Sequence, residues 1–275
     1  MLSSSQTAFA ENIFPIETKE LKHTFSGRID KIIDGQTILL TNDKIIRLVG
    51  LDTPSDKTNL DNNYALKAKM KLTELLPEGT EIMIYQTRVA KKGRVNRMGH
   101  DLGHILTKEK PETPSLWLQQ ALLEQGLARV SLSESNPELA QFMLKAEKKA
   151  RNEKKGLWAE ESPFQVITPE TAQKGMGQFS VVEGTITKAA TVRNNLYLNF
   201  GADWKTDFTI MISSTLRKKL ARQAVDLMNL SGKKVRVRGW IREYNGPLIE
   251  LDMVEHLELL EEATIDVPDI TDKVE

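Results

Sequence analysis

Five polar residues, Asp34, Gln36, Arg47, Asp52 and Thr53, fall within or just after a stretch of alternating apolar residues that begins at Ser26 and reaches Leu51. The apolar runs are Ile29 to Ile33, Thr37 to Leu40 and Ile45 to Val49, separated by Asp34-Gly35 and by Thr41-Asn42-Asp43-Lys44. Period-two alternation broken by turn-forming residues predicts a three-stranded meander. Strand ends and turns of such a meander converge on one edge, so these five side chains are expected together. Carboxylate, guanidinium and hydroxyl in one place suit a phosphate or a metal ion. Asp34-Gly35 alone is a common hairpin turn, and only the full string carries the chemistry.

The elements that must position this edge follow in order. Asn62 to Leu76 is predicted as a helix with an apolar stripe of Ala65, Leu66, Ala68, Met70, Leu72, Leu75 and Leu76, stopped by Pro77-Glu78-Gly79. Glu81 to Arg88 alternates as a strand, and Val89 to Gly99 is a loop carrying Lys91, Lys92, Arg94 and Arg97 before a further strand, His100 to Leu106. Helices are predicted over 117–126 and over 137–154, the second with Asn136 as N-cap, Pro137 at the first helical position and basic residues at its end. Residues 161–177 carry the prolines and glycines of a linker. Beyond it the pattern reads strand (179–189), strand (196–200), strand (208–212), helix (214–230), strand (234–243) and strand (248–259), the order of an OB-type barrel.

Composition bounds the partners. The chain has 275 residues, 38 Lys+Arg against 38 Asp+Glu and no cysteine. Zero net charge removes the global basic field that steers many nucleic-acid binders, so a polyanion must be held by a local patch. The absence of cysteine excludes disulfides, Cys zinc sites and thiol catalysis, and no apolar run is long enough for a membrane-spanning helix. Residues 1–22 are read as a leader, in which Ala8-Phe9-Ala10 before Glu11 is either the small-x-small cleavage site of a signal-peptide remnant, which implies export, as to a periplasm, or a chance pair of alanines in a disordered leader. Residues 263–275 are expected to form an acidic disordered tail.

The string Asp34-Gly35-Gln36-Thr37, Arg47, Asp52-Thr53-Pro54-Ser55 resembles the N-terminal barrel of the staphylococcal nuclease (thermonuclease-like) family, whose pattern is Asp-Gly-Asp-Thr, an Arg, then Asp-x-Pro-Glu. Asn96-Arg97-Met98-Gly99-His100, Leu127-Ala128-Arg129-Val130 and Gly156-Leu157-Trp158 extend the likeness. Tyr197-Leu198-Asn199-Phe200-Gly201 and Val235-Arg236-Val237-Arg238-Gly239-Trp240 resemble a C-terminal module of some bacterial members. The resemblance implies an α+β chain with an OB-type barrel and helices at 23–160, followed by a second OB-like barrel at 178–262.

It also implies a phosphodiester held by two arginines and a Ca2+ ion, with a glutamate near the attacking water. Carried over by position, Arg47, Asp52 and Thr53 match, Asp52 and Thr53 being the metal ligands. Gln36, Ser55 and His100 stand where the family has aspartate, glutamate and arginine. Gln36 removes a negative charge from the metal site, Ser55 cannot act as a carboxylate base, and His100 lacks the guanidinium fork. The expectation is a degenerate phosphodiesterase that binds nucleic acid or a similar polyanion. Two rivals are an active Ca2+-dependent nuclease, rescued by Asp56 or Asp101, and a protein-interaction scaffold. Lys91, Lys92, Arg94 and Arg97, with Arg236 and Arg238 on the second module, are the candidate nucleic-acid contacts, unless they only keep a turn and a strand face solvated. Trp204 and Tyr197 either stack bases or pack, and His23, His104 and His256 lack ligand spacing and read as structural.

Overall fold

Strand β1 (Leu21–Asp34) is long enough to serve two neighbours. Its first half pairs with β5 (Glu81–Thr87), and past Ile29 it bends through two register shifts to pair with β2 (Thr37–Leu40). Bulges of this kind increase local twist, and twist closes a sheet. β2 then pairs with β3 (Ile45–Leu48), β3 runs parallel to β6 (Asp101–Thr107), and β6 returns antiparallel to β5, giving a closed five-stranded barrel of order β1-β2-β3-β6-β5. These relations come from a computed structural model that describes residues 19–55, 59–89, 91–109, 114–203, 205–222 and 227–260. The barrel begins within the span expected as leader; residues 1–18 of that leader, and the tail at 263–275, lie outside the described residues.

Barrel residues Ile38, Ile46, Ile82, Ile84 and Ile105 are fully buried. Helix α1 (Asn59–Leu75) covers them with Ala68 and Leu72, and Leu76 follows into the core. Leu66 and Met70, expected in that stripe, are instead exposed, because one helix face reaches the barrel and they lie off it. Helix α2 (Leu118–Glu124) buries Leu118, Leu122 and Leu123. The pair β4 (Leu51–Asp52) and β7 (Arg129–Val130) forms a separate two-stranded ribbon.

Helix α3 spans Ala140–Asn152, three residues shorter at its start than the sequence pattern predicts. Asn136 does not cap it: its side-chain amide donates to the Gly93 carbonyl (2.9 Å), and the residue before the helix, Leu139, sits at φ 59. The cap signal lost to a tertiary bond. Gly126 and Gly156 touch where α3's exit meets the turn after α2; the Leu157 amide donates to the Gly126 carbonyl (2.8 Å), and a Cβ on either glycine would strike backbone.

The chain divides at Val166 and Ile167 into two units. In the second, residues expected as linker are ordered: Ile167 bridges to Val182, Pro169–Gly175 forms a 3-10 turn and Met176 bridges to Ile241. The strand expected at 179–189 is split into β8 (Phe179–Thr185) and β9 (Lys188–Val192). β9 pairs with β10 (Asn195–Asn199), β10 with β11 (Thr209–Ile212), β11 in parallel with β13 (Pro247–Leu251), β13 with β12 (Lys234–Glu243), and β12 with β8 and with β14 (Leu257–Leu259). These seven strands form one sheet, in the strand order of the first barrel with β1's part divided between β8 and β9. Helix α4 (Ser214–Arg222) packs Leu216 and Leu220 into its core. No helix among the described residues is long and apolar enough to cross a membrane.

Candidate active site

The β1–β2 turn places Gln36 at the barrel edge. The Gln36 amide N–H donates to Asp34 Oδ1 (2.8 Å), and Gly35 lies so close to helix α1 that a Cβ there would come within 2.7 Å of Ala68. Across the β2–β3 pair, Thr37 and Arg47 are register partners, and Arg47 Nη1 donates to Thr37 Oγ1 (3.1 Å). With its side-chain amide oriented to suit its neighbours, Gln36 donates to the Leu51 carbonyl (3.1 Å) and accepts from Thr53 Oγ1 (3.3 Å) and from Arg47 Nη2. Gln36, Arg47 and Thr53 therefore converge, as the sequence pattern predicts. They converge as a network that satisfies itself, with the neutral amide oxygen at its centre.

Asp52 is drawn away from that centre. Arg129 is its register partner across the β4–β7 ribbon, and Arg129 donates to Asp52 Oδ2 from Nη2 (2.6 Å) and Nε (3.2 Å). The arginine side chain is 7% exposed and its guanidinium lies over the Phe164 ring (5.3 Å), which meets Tyr64 of α1 edge-on (5.4 Å). Glu147 on α3 is fully buried; it accepts the Val130 N–H (2.6 Å) and pairs with Arg151, fixing the strand that carries Arg129. Sequence reasoning gave Arg129 no role. The available signal was a charged residue inside the otherwise apolar run from Leu127 to Val130.

Ca2+ takes six to eight hard oxygens, usually from several carboxylates. Here the one carboxylate at a metal-ligand position is paired to a guanidinium, and the amide that replaces the other shares its oxygen between Arg47 and Thr53. Among the described residues no group of three or more His, Asp or Glu gathers as a metal site. This donor set does not fit Ca2+. An anion is better served, since Arg47 is half-buried and the described residues engage only its two Nη groups.

Ser55 is exposed, and Asp56, considered as a replacement carboxylate, lies outside the described residues. Asp101 does not fill the gap: its Oδ2 faces Lys44 Nζ (3.6 Å) and its Oδ1 accepts from Gln86 (3.4 Å). His100 is half-buried just before β6, whose Leu102 is the register partner of Arg47.

The basic loop leaves the barrel at that same end of β6, and it is held rigidly. Gln86 donates to the Arg94 and Leu102 carbonyls (2.9 and 3.0 Å), and Asn96 Oδ1 accepts the Met98 and His100 amides (2.9 and 3.0 Å). Arg94 is part of this scaffold, its Nε donating to the Thr87 carbonyl (2.9 Å). Lys91, Lys92 and Arg97 are exposed on it.

Arg236 and Arg238 correct the expectation of a solvent-facing row. Arg238 is buried and paired with Glu258, while Arg236 bridges Glu183 (2.6 Å) and Glu258 (3.3 Å). Charge pairing lets β12 bury Arg238 and half-bury Arg236 on a strand that also buries Val235 and Val237, whereas Trp240 on the same strand is 60% exposed. Trp204 lies outside the described residues.

Of the histidines, His23 meets Ser26 Oγ (3.0 Å) and His256 meets Asp252 (2.8 Å). His104 is buried against Trp117 with neither ring nitrogen hydrogen-bonded, and burial pushes its pKa from 6.5 down to about 3. Between those values the unfolded chain binds a proton that the folded chain does not, so stability is full above pH 6.5 and falls as pH drops towards 3. By about pH 5 this one group removes roughly 2 kcal/mol. Urea midpoints taken at neutral and acid pH should therefore drop more for the natural chain than for a His104→Leu variant, and equal drops would refute this.

A search of curated proteins finds no match to the chain. Residues 45–160 match the family described as staphylococcal nuclease homologue, a span that opens on β3 and ends after Gly156-Leu157-Trp158; β1, β2 and Gln36 precede it and complete the barrel. That match and the closed barrel it overlaps make the first unit similar to staphylococcal nuclease homologues over residues 45–160.

Proposed function

We propose that the first unit binds the phosphate backbone of nucleic acid without Ca2+ and without normal hydrolytic turnover. The observation that supports this reading is the internal pairing of the groups a metal would need: Gln36 with Arg47 and Thr53, and Asp52 with Arg129. Loss of the general base adds to it, since such a group typically contributes about 10²–10⁴-fold and a serine hydroxyl at position 55 is not ionised near neutral pH. Arg47 serves as the inner anion contact. Lys91, Lys92 and Arg97 serve as outer phosphate contacts beside it, local charge that a net-neutral chain needs.

The test uses single-stranded DNA and RNA with the full chain, with Ca2+ and with chelator. Binding should be the same in both, and should weaken with salt by about 0.7 in slope for each phosphate contacted. Arg47→Ala should weaken it about tenfold, as loss of a charged hydrogen bond does. Removing Lys91, Lys92 and Arg97 should flatten the salt dependence. Chelator-sensitive cleavage abolished by Arg47→Ala would establish the active nuclease instead.

A further inference from the structure

The second unit has a cavity of about 430 Å³ lined by Lys188, Ala190, Val192, Tyr197, Asn199, Gly201, Ala202, Thr209, Tyr244, Asn245 and Leu248. Register explains how these residues meet. Leu196, Leu198, Ile210, Ile212, Ile249 and Leu251 alternate onto the core face, which leaves Tyr197, Asn199, Thr209 and Leu248 on the other. Asn199 is paired with Lys188 on one side and Thr209 on the other, and Thr209 with Leu248, so one row of the cavity floor crosses four strands. Tyr197 sits in the next row opposite Ala190.

Two turns raise the walls. Asn245 and Gly246 take φ 49 and 93 in the β12–β13 turn, where the Tyr244 amide donates to the Gly246 carbonyl (2.9 Å). The second turn adjoins the first: Gly246 lies against the Thr206 and Asp207 carbonyls and Gly201 against the Asp207 carboxylate, whose Oδ2 accepts the Asp203 amide (2.7 Å).

The chemistry of this cleft is specific. Tyr197 and Tyr244 offer aromatic faces, Asn199 and Asn245 offer amides that both donate and accept, and Lys188 is the single charge among the lining residues, over a floor of small apolar groups. Asn199 Oδ1 accepts from Thr209 Oγ1 (3.3 Å), which leaves its side-chain N–H groups and the Asn245 amide for a ligand; a purely apolar ligand would not use them, and a phosphate alone would call for more than one cation. An unpaired nucleobase uses all of it, because its flat face stacks on tyrosine, its edge pairs with amides and its own phosphate meets one lysine. We infer that this cleft binds bases of single-stranded nucleic acid, a site separate from the Arg47 edge and independent of the function proposed for it.

The experiment measures fluorescence anisotropy of labelled single-stranded oligonucleotides of about 12 nucleotides, a length such a face can occupy, with the full chain in chelator. Tyr244 is 57% exposed, so its substitution spares the fold. Tyr244→Ala and Tyr197→Ala should each weaken binding by about tenfold or more, Tyr244→Phe should restore it, and Lys188→Ala should lower the salt slope by about 0.7. In an Arg47→Ala background the tyrosine effects should persist. Binding that vanishes with Arg47→Ala and ignores both tyrosine substitutions would overturn this site while leaving the proposed function standing. Absence of oligonucleotide binding by the full chain would overturn it outright.

Discussion

Gln36→Asp, Ser55→Glu and His100→Arg, introduced together, should raise Ca2+-dependent phosphodiester cleavage by at least about 10²-fold, the lower range for regaining a general base. The geometry says why these positions suffice to test the idea. Gln36 already sits where Arg47 Nη2 and the Thr53 hydroxyl point, so a carboxylate at this position faces two donors from one methylene further back and gives up the bond to the Leu51 carbonyl. Its negative charge also supplies what a hard cation lacks at this edge. Arg129 remains an obstacle, since it holds Asp52 by two hydrogen bonds. Adding Arg129→Gln should therefore tighten Ca2+ binding further. Calorimetric titration of Ca2+ and cleavage with and without chelator read the two steps separately. A triple variant that neither binds Ca2+ nor cleaves would show that the altered side chains are not what limits the site.

Glu147→Ala should cost about 3–5 kcal/mol, a large share of the roughly 5–15 kcal/mol that stabilises a domain. Glu147 is fully buried, and its removal takes away at once the ion-pair partner of the Arg151 guanidinium, 7% exposed and set over Trp158, and an acceptor of the Val130 N–H. Breaking a buried ion pair and removing the acceptor of a buried amide are both costly. Glu147→Gln keeps an acceptor for Val130 and should lose less. Denaturant midpoints of the two variants give the comparison, and a loss under about 1 kcal/mol for the alanine would mean that the pair contributes nothing net. The position also bears on the site, because Val130 is the neighbour of Arg129.

Local pattern alone was enough for much of this molecule. Alternation from Ile29 to Val49 gives β1 to β3 because a strand with one buried face must alternate, and Asp34-Gly35 gives the turn because short polar and glycine residues favour it. The convergence of Gln36, Arg47 and Thr53 follows from that meander without further information. The same logic placed β10 to β12, whose aliphatic positions Leu196, Leu198, Ile210, Ile212, Val235, Val237 and Ile241 are buried while Trp240 is exposed.

What sequence could not decide was which partner each polar group would choose. Asn136 has every local mark of a helix cap, yet its amide serves Gly93 across the fold, and α3 starts later. Arg236 and Arg238 alternate with buried valines and read as a wet face, until Glu183 and Glu258 arrive from two other strands to neutralise them. Asp52 reads as a metal ligand until β7, 77 residues away, sets Arg129 opposite it. A hydrogen bond or ion pair depends on a few ångströms of distance between residues far apart in the chain, which no periodicity encodes. Periodicity determined the barrel and the edge; tertiary pairing alone determined which partner each polar group there takes, Gln36 with Arg47 and Thr53 and Asp52 with Arg129.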